Sequence, residues 1–195
     1  MRIFRRALLV NDLSILQQAL RLAGSVETED LGCISNISRR DFDERESFLF
    51  RAKAPCLEYA CLMIENALLL QTNRAGRIYV GFEKLSCMRP VINRYLRIAD
   101  VSESVNVFGE ADWKPPRHPN MRVIKLSPNS KIAREWFVIA VTPSLRVALV
   151  AFDQDGFKGQ VLEDRNFTAF KSSNPDLVAR LASVAEGLID ESLAA

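Results

Sequence analysis

The hydrophobic pattern of this chain changes period once, near residues 73–76, and that change constrains the fold more than any other feature. Before it, residues 55–70 are the most apolar segment of the chain, with apolar side chains around most of a helical circumference. A helix that is hydrophobic nearly all round lies in a core or in an oligomer seam. After the change, apolar residues recur with a period of two, which is typical of β-strands. The sequence therefore predicts a buried helix followed by a sheet.

Several segments after the change have strand character, and a helix closes the chain. The two longest strand segments are separated only by Pro143 and Ser144, which predicts an antiparallel hairpin. Asn174 and Pro175 have the residue types preferred at the cap and first position of a helix. The arrangement predicts an α+β fold with about five or six mostly antiparallel strands packed with helices. The strand segments are residues 78–82, 105–108, 123–126, 136–142, 145–152 and 167–170.

Three shorter helices are also predicted. Residues 14–23 carry apolar side chains at helical spacing, and Gly24 is placed to end that helix. Residues 38–52 form a second, more polar candidate whose cap is Ser38. A short Arg-rich helix is predicted over residues 90–99, between the first two of these strands.

The length of 195 residues, with 48% hydrophobic and 26% charged side chains, fits one globular domain. We expect residues 1–54 to form a helical N-terminal extension and residues 55–195 the main domain, packed as one compact unit. No apolar run approaches the roughly 18 residues that span a bilayer, and the apolar run near the N-terminus is too short for a signal sequence. The four cysteines form no CxxC pair and are expected to be buried free thiols. The cytoplasm is the expected location.

The net charge of +2 conceals an uneven distribution. Residues 72–134 carry 12 basic and 5 acidic side chains, whereas residues 135–195 carry 5 and 9. Either the basic groups pair with the acidic third inside the fold, or they face an anionic partner. Three of them, Arg89, Arg94 and Arg97, lie in or beside the Arg-rich helix. Arg94 and Arg97 are three apart on one helical side, a spacing that lets both contact one anionic group.

No familiar catalytic or metal-binding motif is present. The chain lacks a P-loop and the patterns GxGxxG, GxSxG and HExxH. A single histidine, His118, lies in a proline-rich loop, where we expect it to be exposed; the alternative is a ligand to haem or a chromophore. No nucleophile, base and electrophile are recognisably assembled. We therefore predict no enzymatic activity, no metal site and no cofactor.

Two groups of charged and aromatic residues are candidates for binding. Glu110, Asp112 and Trp113 follow a predicted strand, at a place where loops carry function. The alternative is a surface turn with Trp113 packed on the core. Trp136 and Phe137 begin a long strand, so alternation places them on opposite faces of the sheet. Either both faces are covered, or one of these aromatic rings faces a ligand or a partner.

Four short segments occur in the order and spacing of a known family: Gly81-Phe82-Glu83, Val107 to Asp112, Glu135 to Val138, and Arg165-Asn166-Phe167. They resemble the DICT domain, named for its occurrence with diguanylate cyclases and two-component signalling proteins. The resemblance covers roughly residues 55–192. Its most specific part is Phe-Gly-Glu-Ala-Asp followed by Glu-Trp-Phe. Two departures are Glu83, where Gln is expected, and Phe170-Lys171-Ser172, which replaces a Trp-Thr-Phe-like strand end.

The resemblance implies a sensory or regulatory module, with a suggested link to light signalling in photosynthetic bacteria such as cyanobacteria. The chain has no room for a cyclase or kinase output domain, and residues 1–53 lack the basic footprint of a DNA-binding domain. We therefore expect a non-enzymatic module that acts in trans through contact with a signalling kinase, cyclase or transcription regulator, or as a homodimer. Its signal would be light, a redox change or a second messenger. No membrane and no direct nucleic-acid contact are expected. The alternative is a receptor for an anionic small ligand such as a cyclic dinucleotide.

Overall fold

The computed structural model describes residues 13–32, 36–71, 74–156 and 161–193. Within these ranges eight strands form one mixed sheet, which confirms the α+β class. The strands are β1 (Thr28–Gly32), β2 (Ser47–Lys53), β3 (Arg77–Lys84), β4 (Ser104–Glu110), β5 (Met121–Leu126), β6 (Glu135–Val141), β7 (Arg146–Asp153) and β8 (Asn166–Ser172). Their order across the sheet is β1-β2-β8-β7-β6-β3-β4-β5.

Helices cover both faces of this sheet. They are α1 (Ile15–Ala23), α2 (Arg39–Glu44), α3 (Ala54–Leu69), α4 (Ile92–Asp100) and α5 (Pro175–Leu193), with 3-10 turns at Leu85–Val91, Lys131–Arg134 and Leu162–Asp164. Buried side chains of α2, α3 and α4 form one core with one face of the sheet. Those of α1 and α5 form a second core on the other face. The molecule therefore has three layers and two hydrophobic cores.

Local signals placed most helix ends correctly. Gly24, with φ of 75°, follows the last residue of α1. Ser38 accepts a hydrogen bond from the Asp41 amide at the start of α2. The Asn174 side chain accepts bonds from the amides of Asp176 and Leu177 at the start of α5. These caps depend on neighbouring residues alone, which explains why the sequence reveals them.

The predicted helix over residues 38–52 is wrong beyond Glu44. Residues 47–53 form β2, which pairs with β8 along its whole length. Phe48 and Phe50 pack in the core beneath α3, and Leu49 packs in the core beneath α5. This alternation has the strand period, and the pairing with a strand more than 100 residues away stabilises it.

The predicted strand number and direction are also partly wrong. Eight strands are present in the described ranges rather than five or six, and three neighbouring pairs are parallel: β1 with β2, β3 with β4, and β4 with β5. The connection from β3 to β4 runs through a 3-10 turn and α4, and a helical crossover returns the chain in the same direction. The hairpin of β6 and β7 across Pro143-Ser144 is confirmed as antiparallel.

The N-terminal region contributes to the same sheet. β1 and β2 both precede residue 54 in the chain. The division into a helical extension and a main domain at that position stays a prediction. Cys56 and Cys61 are buried and form no disulfide with a described residue, whereas Cys87 is exposed. Cys33 and the N-terminal run considered as a signal sequence lie outside the described residues. No described helix combines the length and apolar character needed to cross a membrane.

Candidate functional site

Two concave sites flank the 3-10 turn Leu85–Val91, which follows β3. Since β3 and β4 are parallel, the segments that leave them emerge at one edge of the sheet, where α/β proteins commonly bind ligands. The first site, called here the β4–β5 groove, has a volume of about 890 Å³ and is formed by Leu85, loop residues 111–119 and β5. The second, the α3–α4 cavity, has a volume of about 530 Å³ and lies between α3, α4, the end of β3 and Trp136.

An aromatic and arginine pair stands at the β4–β5 groove. The guanidinium of Arg89 lies over the Trp113 ring, 5.3 Å from its centre. Asp112 accepts hydrogen bonds from the Ser86 amide, at 2.9 Å, and from the Ser86 hydroxyl. Slight burial opposes ionisation of Asp112, but the bonds from Ser86 outweigh it and lower its pKa. Asp112 thus fixes the loop to the 3-10 turn as an ionised group.

The remaining charge in the groove is mostly positive. Lys114, Arg117 and Lys125 line it, are exposed, and form no ion pair with any described residue. His118 is partly buried rather than exposed. Its ring nitrogen Nε2 lies 3.1 Å from an Asp100 carboxylate oxygen, and its Nδ1 accepts a 3.1 Å bond from the Asn120 amide. The histidine thus anchors the proline-rich loop, and the three cations face solvent.

The wall of the α3–α4 cavity is largely apolar and aromatic. Trp136 is half-buried and meets Phe167 edge to face, with ring centres 6.0 Å apart. Phe82 packs edge to face against Tyr95 at 5.2 Å. Tyr59 joins Phe82 and Trp136 in lining the space.

Glu83 reaches this cavity from a strained position. Its φ of 49° lies in the left-handed region, at a shift of register between β3 and β4. The residue is 3% exposed, and both carboxylate oxygens accept bonds of 2.9 Å from Arg165, which also contacts Asp153. Burial raises the pKa of Glu83 to about 7, with Asp153 adding to the rise and Arg165 opposing it. Strained residues of this kind concentrate at functional sites.

Glu65 is a second buried carboxylate of the cavity. It accepts a 2.7 Å hydrogen bond from the Tyr95 hydroxyl and lies 3.4 Å from the Arg94 guanidinium. Burial raises the pKa of Glu65, although both partners act in the opposite direction. Burial also raises the pKa of the neighbouring Cys61 thiol well above its usual value.

A third buried carboxylate lies on the opposite face of the sheet. Glu135 accepts bonds from the Ile15 amide at 2.8 Å, from the Leu16 amide at 3.2 Å, and from the Ser14 hydroxyl. Its carboxylate therefore caps the N-terminus of α1. Burial raises the pKa of Glu135 to about 7, and these hydrogen bonds limit the rise.

Five of the eight residues predicted to bind a ligand or partner lie at the cavity or the groove, and three do not. Arg94 and Trp136 line the cavity, Asp112 and Trp113 line the groove, and Arg89 lies against Trp113. Glu110, at the end of β4, is partly exposed, and Arg97 is exposed on α4. Phe137 is buried against Phe108 in the other core. Arg94 contacts Glu65 within the fold.

Sequence reasoning did not select the buried carboxylates Glu65, Glu83 and Glu135 as site residues. The available signal was an acidic residue inside an otherwise apolar segment, as with Glu65 in residues 55–70 and Glu83 at the end of a predicted strand. Such residues are almost never buried without partners. An acidic residue in an apolar segment can be recognised from the sequence, but its partner cannot, because the two are far apart in the chain. Arg165, for example, is 82 positions from Glu83.

Comparison with known families gives the class to which this chain belongs. The family model of DICT, described as a sensory domain in diguanylate cyclases and two-component systems, matches residues 48–154. The chain belongs to the DICT family, as its short segments indicated. This membership supports a sensory or regulatory role.

Two solved structures show remote likeness to the chain. A polyphosphate kinase from Porphyromonas gingivalis is 11% identical with a TM-score of 0.48, over 77% of this chain and 29% of the kinase. Nuc, a phospholipase D family member from Salmonella typhimurium, is 11% identical with a TM-score of 0.39, over 74% of this chain and 95% of Nuc. The comparison with curated proteins found no match. Across the described ranges, no cluster of three or more His, Cys, Asp or Glu side chains has the arrangement of a metal site.

Proposed function

We propose that this chain is a non-enzymatic, cytoplasmic sensory module that acts in trans by binding an acidic segment of a signalling protein in the β4–β5 groove. The observation that carries the proposal is the Arg89–Trp113 pair beside three cations that form no ion pair among the described residues. Tryptophan and arginine dominate the energetics of protein interfaces. The partner class is a kinase, a cyclase or a transcription regulator.

The groove combines an apolar floor with a positively charged border. Met121 and Val123 of β5 and Leu85 supply apolar surface, whereas Lys114, Arg117 and Lys125 supply charge. An acidic partner segment with apolar side chains would satisfy both parts. Charge complementarity of this kind raises the association rate and makes binding sensitive to salt.

The position of β5 supports an extended partner segment. β5 is the last strand of the sheet, and β4 is its one neighbouring strand in the described part of the chain. Met121, at its start, also forms a single bridge with His118, which leaves the rest of the outer edge open. The outer edge of such a strand offers backbone donors and acceptors to an added strand. Arg122 and Lys125 are exposed on β5 and keep this edge basic.

Affinity purification from the host organism, with variants of the groove, tests the proposal. The wild-type chain should recover one of the three partner classes, whereas Trp113→Ala and the double charge reversal Lys114→Glu/Arg117→Glu should reduce its recovery about ten-fold or more. Arg180→Glu is the matched control, because Arg180 is exposed on α5, away from the groove. Equal recovery by folded groove variants and the wild type would contradict the groove as the binding surface.

A second candidate function rests on the same cations. Three basic side chains that form no ion pair with described residues also favour an anionic small ligand, for which a cyclic dinucleotide is the first probe. Calorimetry with cyclic dinucleotides should then give heat that the double charge reversal abolishes. An absence of heat at high micromolar ligand would remove this candidate.

A further inference from the structure

The α3–α4 cavity has the size and wall of a small-molecule site and shares no lining residue with the β4–β5 groove. Its volume of about 530 Å³ lies within the range of ligand pockets. Tyr59, Phe82 and Trp136 give the cavity aromatic walls, and Leu62 and Val91 add aliphatic surface. Such a wall favours the apolar or aromatic body of a ligand.

The charges on the lining determine which ligand the cavity suits. Three carboxylates, of Glu58, Glu65 and Glu83, line the cavity with one guanidinium, of Arg94. Behind the wall, Arg165 is shared between Glu83 and Asp153, so acidic groups still outnumber basic ones. The Arg94 guanidinium lies 3.4 Å from Glu65 and so pairs with one of the three lining carboxylates. Burial raises the pKa of all three carboxylates, and the neighbouring cations do not offset it. A cationic ligand would offset this excess of negative charge, whereas an anionic ligand would add to it.

Glu83 is the carboxylate best placed to recognise a ligand. Arg165 Nη2 donates to it, at 2.9 Å from each carboxylate oxygen. An ionised carboxylate has about four acceptor positions, so positions remain for a donor from the cavity. The Trp136 ring borders the same space, and a cation over a tryptophan face gains further stabilisation.

We propose that the α3–α4 cavity binds a small organic cation with an aromatic or apolar body, such as an amine or an amidine. Glu83 and Glu65 accept hydrogen bonds from its cationic group, and Trp136, Phe82 and Tyr59 contact its body. This cavity is where the sensory module receives a chemical signal.

A matched series of three probes tests the proposal. Benzamidine, benzamide and benzoate have nearly the same shape and carry positive, zero and negative charge. They are titrated into the ¹⁵N-labelled full chain at about pH 8, where Glu83 is ionised, to about 10 mM, as fragments this small require. The two tryptophans give an internal control, since Trp136 lines the cavity and Trp113 lines the groove. Their indole resonances are assigned with Trp113→Phe.

The expected result is a shift of the Trp136 indole with benzamidine, an affinity about ten-fold above that for benzamide, and no binding of benzoate. Glu83→Gln should remove most of the preference for benzamidine over benzamide. Asp190→Asn, an exposed acidic position on α5, should leave it unchanged. Glu65→Gln provides the same readout if Glu83→Gln does not fold.

Three outcomes would overturn the proposal: equal affinities for the three probes, tighter binding of benzoate, or no shift of the Trp136 indole at the highest concentration. All three outcomes are measured on the wild-type chain, so the test does not depend on whether the variants fold. A failure here leaves the groove proposal standing, because the groove experiments use other residues and a macromolecular partner.

Discussion

At the scale of single residues, the distinguishing feature of this protein is its buried carboxylates. Glu83 and Glu135 lie on opposite faces of the sheet, and burial raises the pKa of each to about 7. A carboxyl that keeps its proton to near-neutral pH in the folded chain releases it at lower pH when the chain unfolds. The stability of the protein is therefore linked to pH through these two groups.

Replacement of Glu83 by glutamine should remove part of this pH dependence. Between its ordinary value of 4.5 and about 7, the folded chain binds the Glu83 proton and the unfolded chain does not. The contribution of Glu83 is thus most favourable at low pH and is lost as the pH rises through 7. The wild-type free energy of unfolding, relative to that of Glu83→Gln, should fall by at most roughly 1.4 kcal/mol per pH unit across this window.

Urea unfolding of both chains at several pH values measures this difference. Glu135 is present in both chains, so its contribution to the pH dependence cancels in the difference between them. Asp190→Asn, at an exposed position on α5, serves as the control and should follow the wild type. Parallel curves for the wild type and Glu83→Gln would show that Glu83 titrates alike in the folded and unfolded chains.

At the scale of elements, one carboxylate attaches α1 to the sheet. Glu135, at the start of β6, accepts the first amides of α1 across 120 sequence positions. The next residue, Trp136, lines the cavity on the other face, and Phe137 packs against Gly81, which has no room for a Cβ atom. Three consecutive residues of β6 therefore have different roles: Glu135 caps a helix, Trp136 lines the cavity and Phe137 packs in a core.

Glu135→Ala should loosen α1 more than any other helix. The Ile15 and Leu16 amides would lose their buried acceptor, at a cost of about 1–3 kcal/mol. Hydrogen exchange followed by mass spectrometry should show less protection over residues 15–23 and little change in α5. Glu135→Gln retains one acceptor oxygen and should give an intermediate result. Unchanged protection of α1 in Glu135→Ala would mean that apolar packing alone holds this helix.

At the scale of the whole molecule, the sheet is continuous through the N-terminal region. β2 pairs with β8 over seven residues and places Phe48 and Phe50 in one core and Leu49 in the other. The family match begins at residue 48, inside this strand.

A chain that begins at residue 55 should therefore fold poorly. It would lack β2, expose the edge of β8 and leave space in both cores. A chain that begins at residue 47 keeps β2 and should unfold more cooperatively, although it lacks α1 and β1. Near-ultraviolet circular dichroism during urea unfolding compares the two. Indistinguishable transitions would support an independent domain over residues 55–195.

Local patterns predicted most elements, and distant pairing explains the errors. The apolar segment 55–70 corresponds to α3, and the six predicted strands lie within or beside β3 to β8. These predictions succeed because the helix and strand periods can be recognised in short segments of sequence. Residues 47–52 fall in the predicted helix over residues 38–52 but form most of β2, because their partner, β8, is remote in sequence. β1 was missed because its side chains are mostly exposed, which leaves no apolar alternation.

The sequence by itself determined the class of fold, the helix caps and the family, since each depends on residue types at short spacing. Only the tertiary structure decided that the helix before the period change, α3, covers one face of a mixed sheet whose other face is also covered by helices. It also decided that Arg94 meets Glu65, that Arg165 meets Glu83, and that five of the eight predicted binding residues lie at a basic groove or an acidic cavity. The physical reason is that these contacts join residues far apart in the chain, and burial and charge at such contacts arise only when the strands pair.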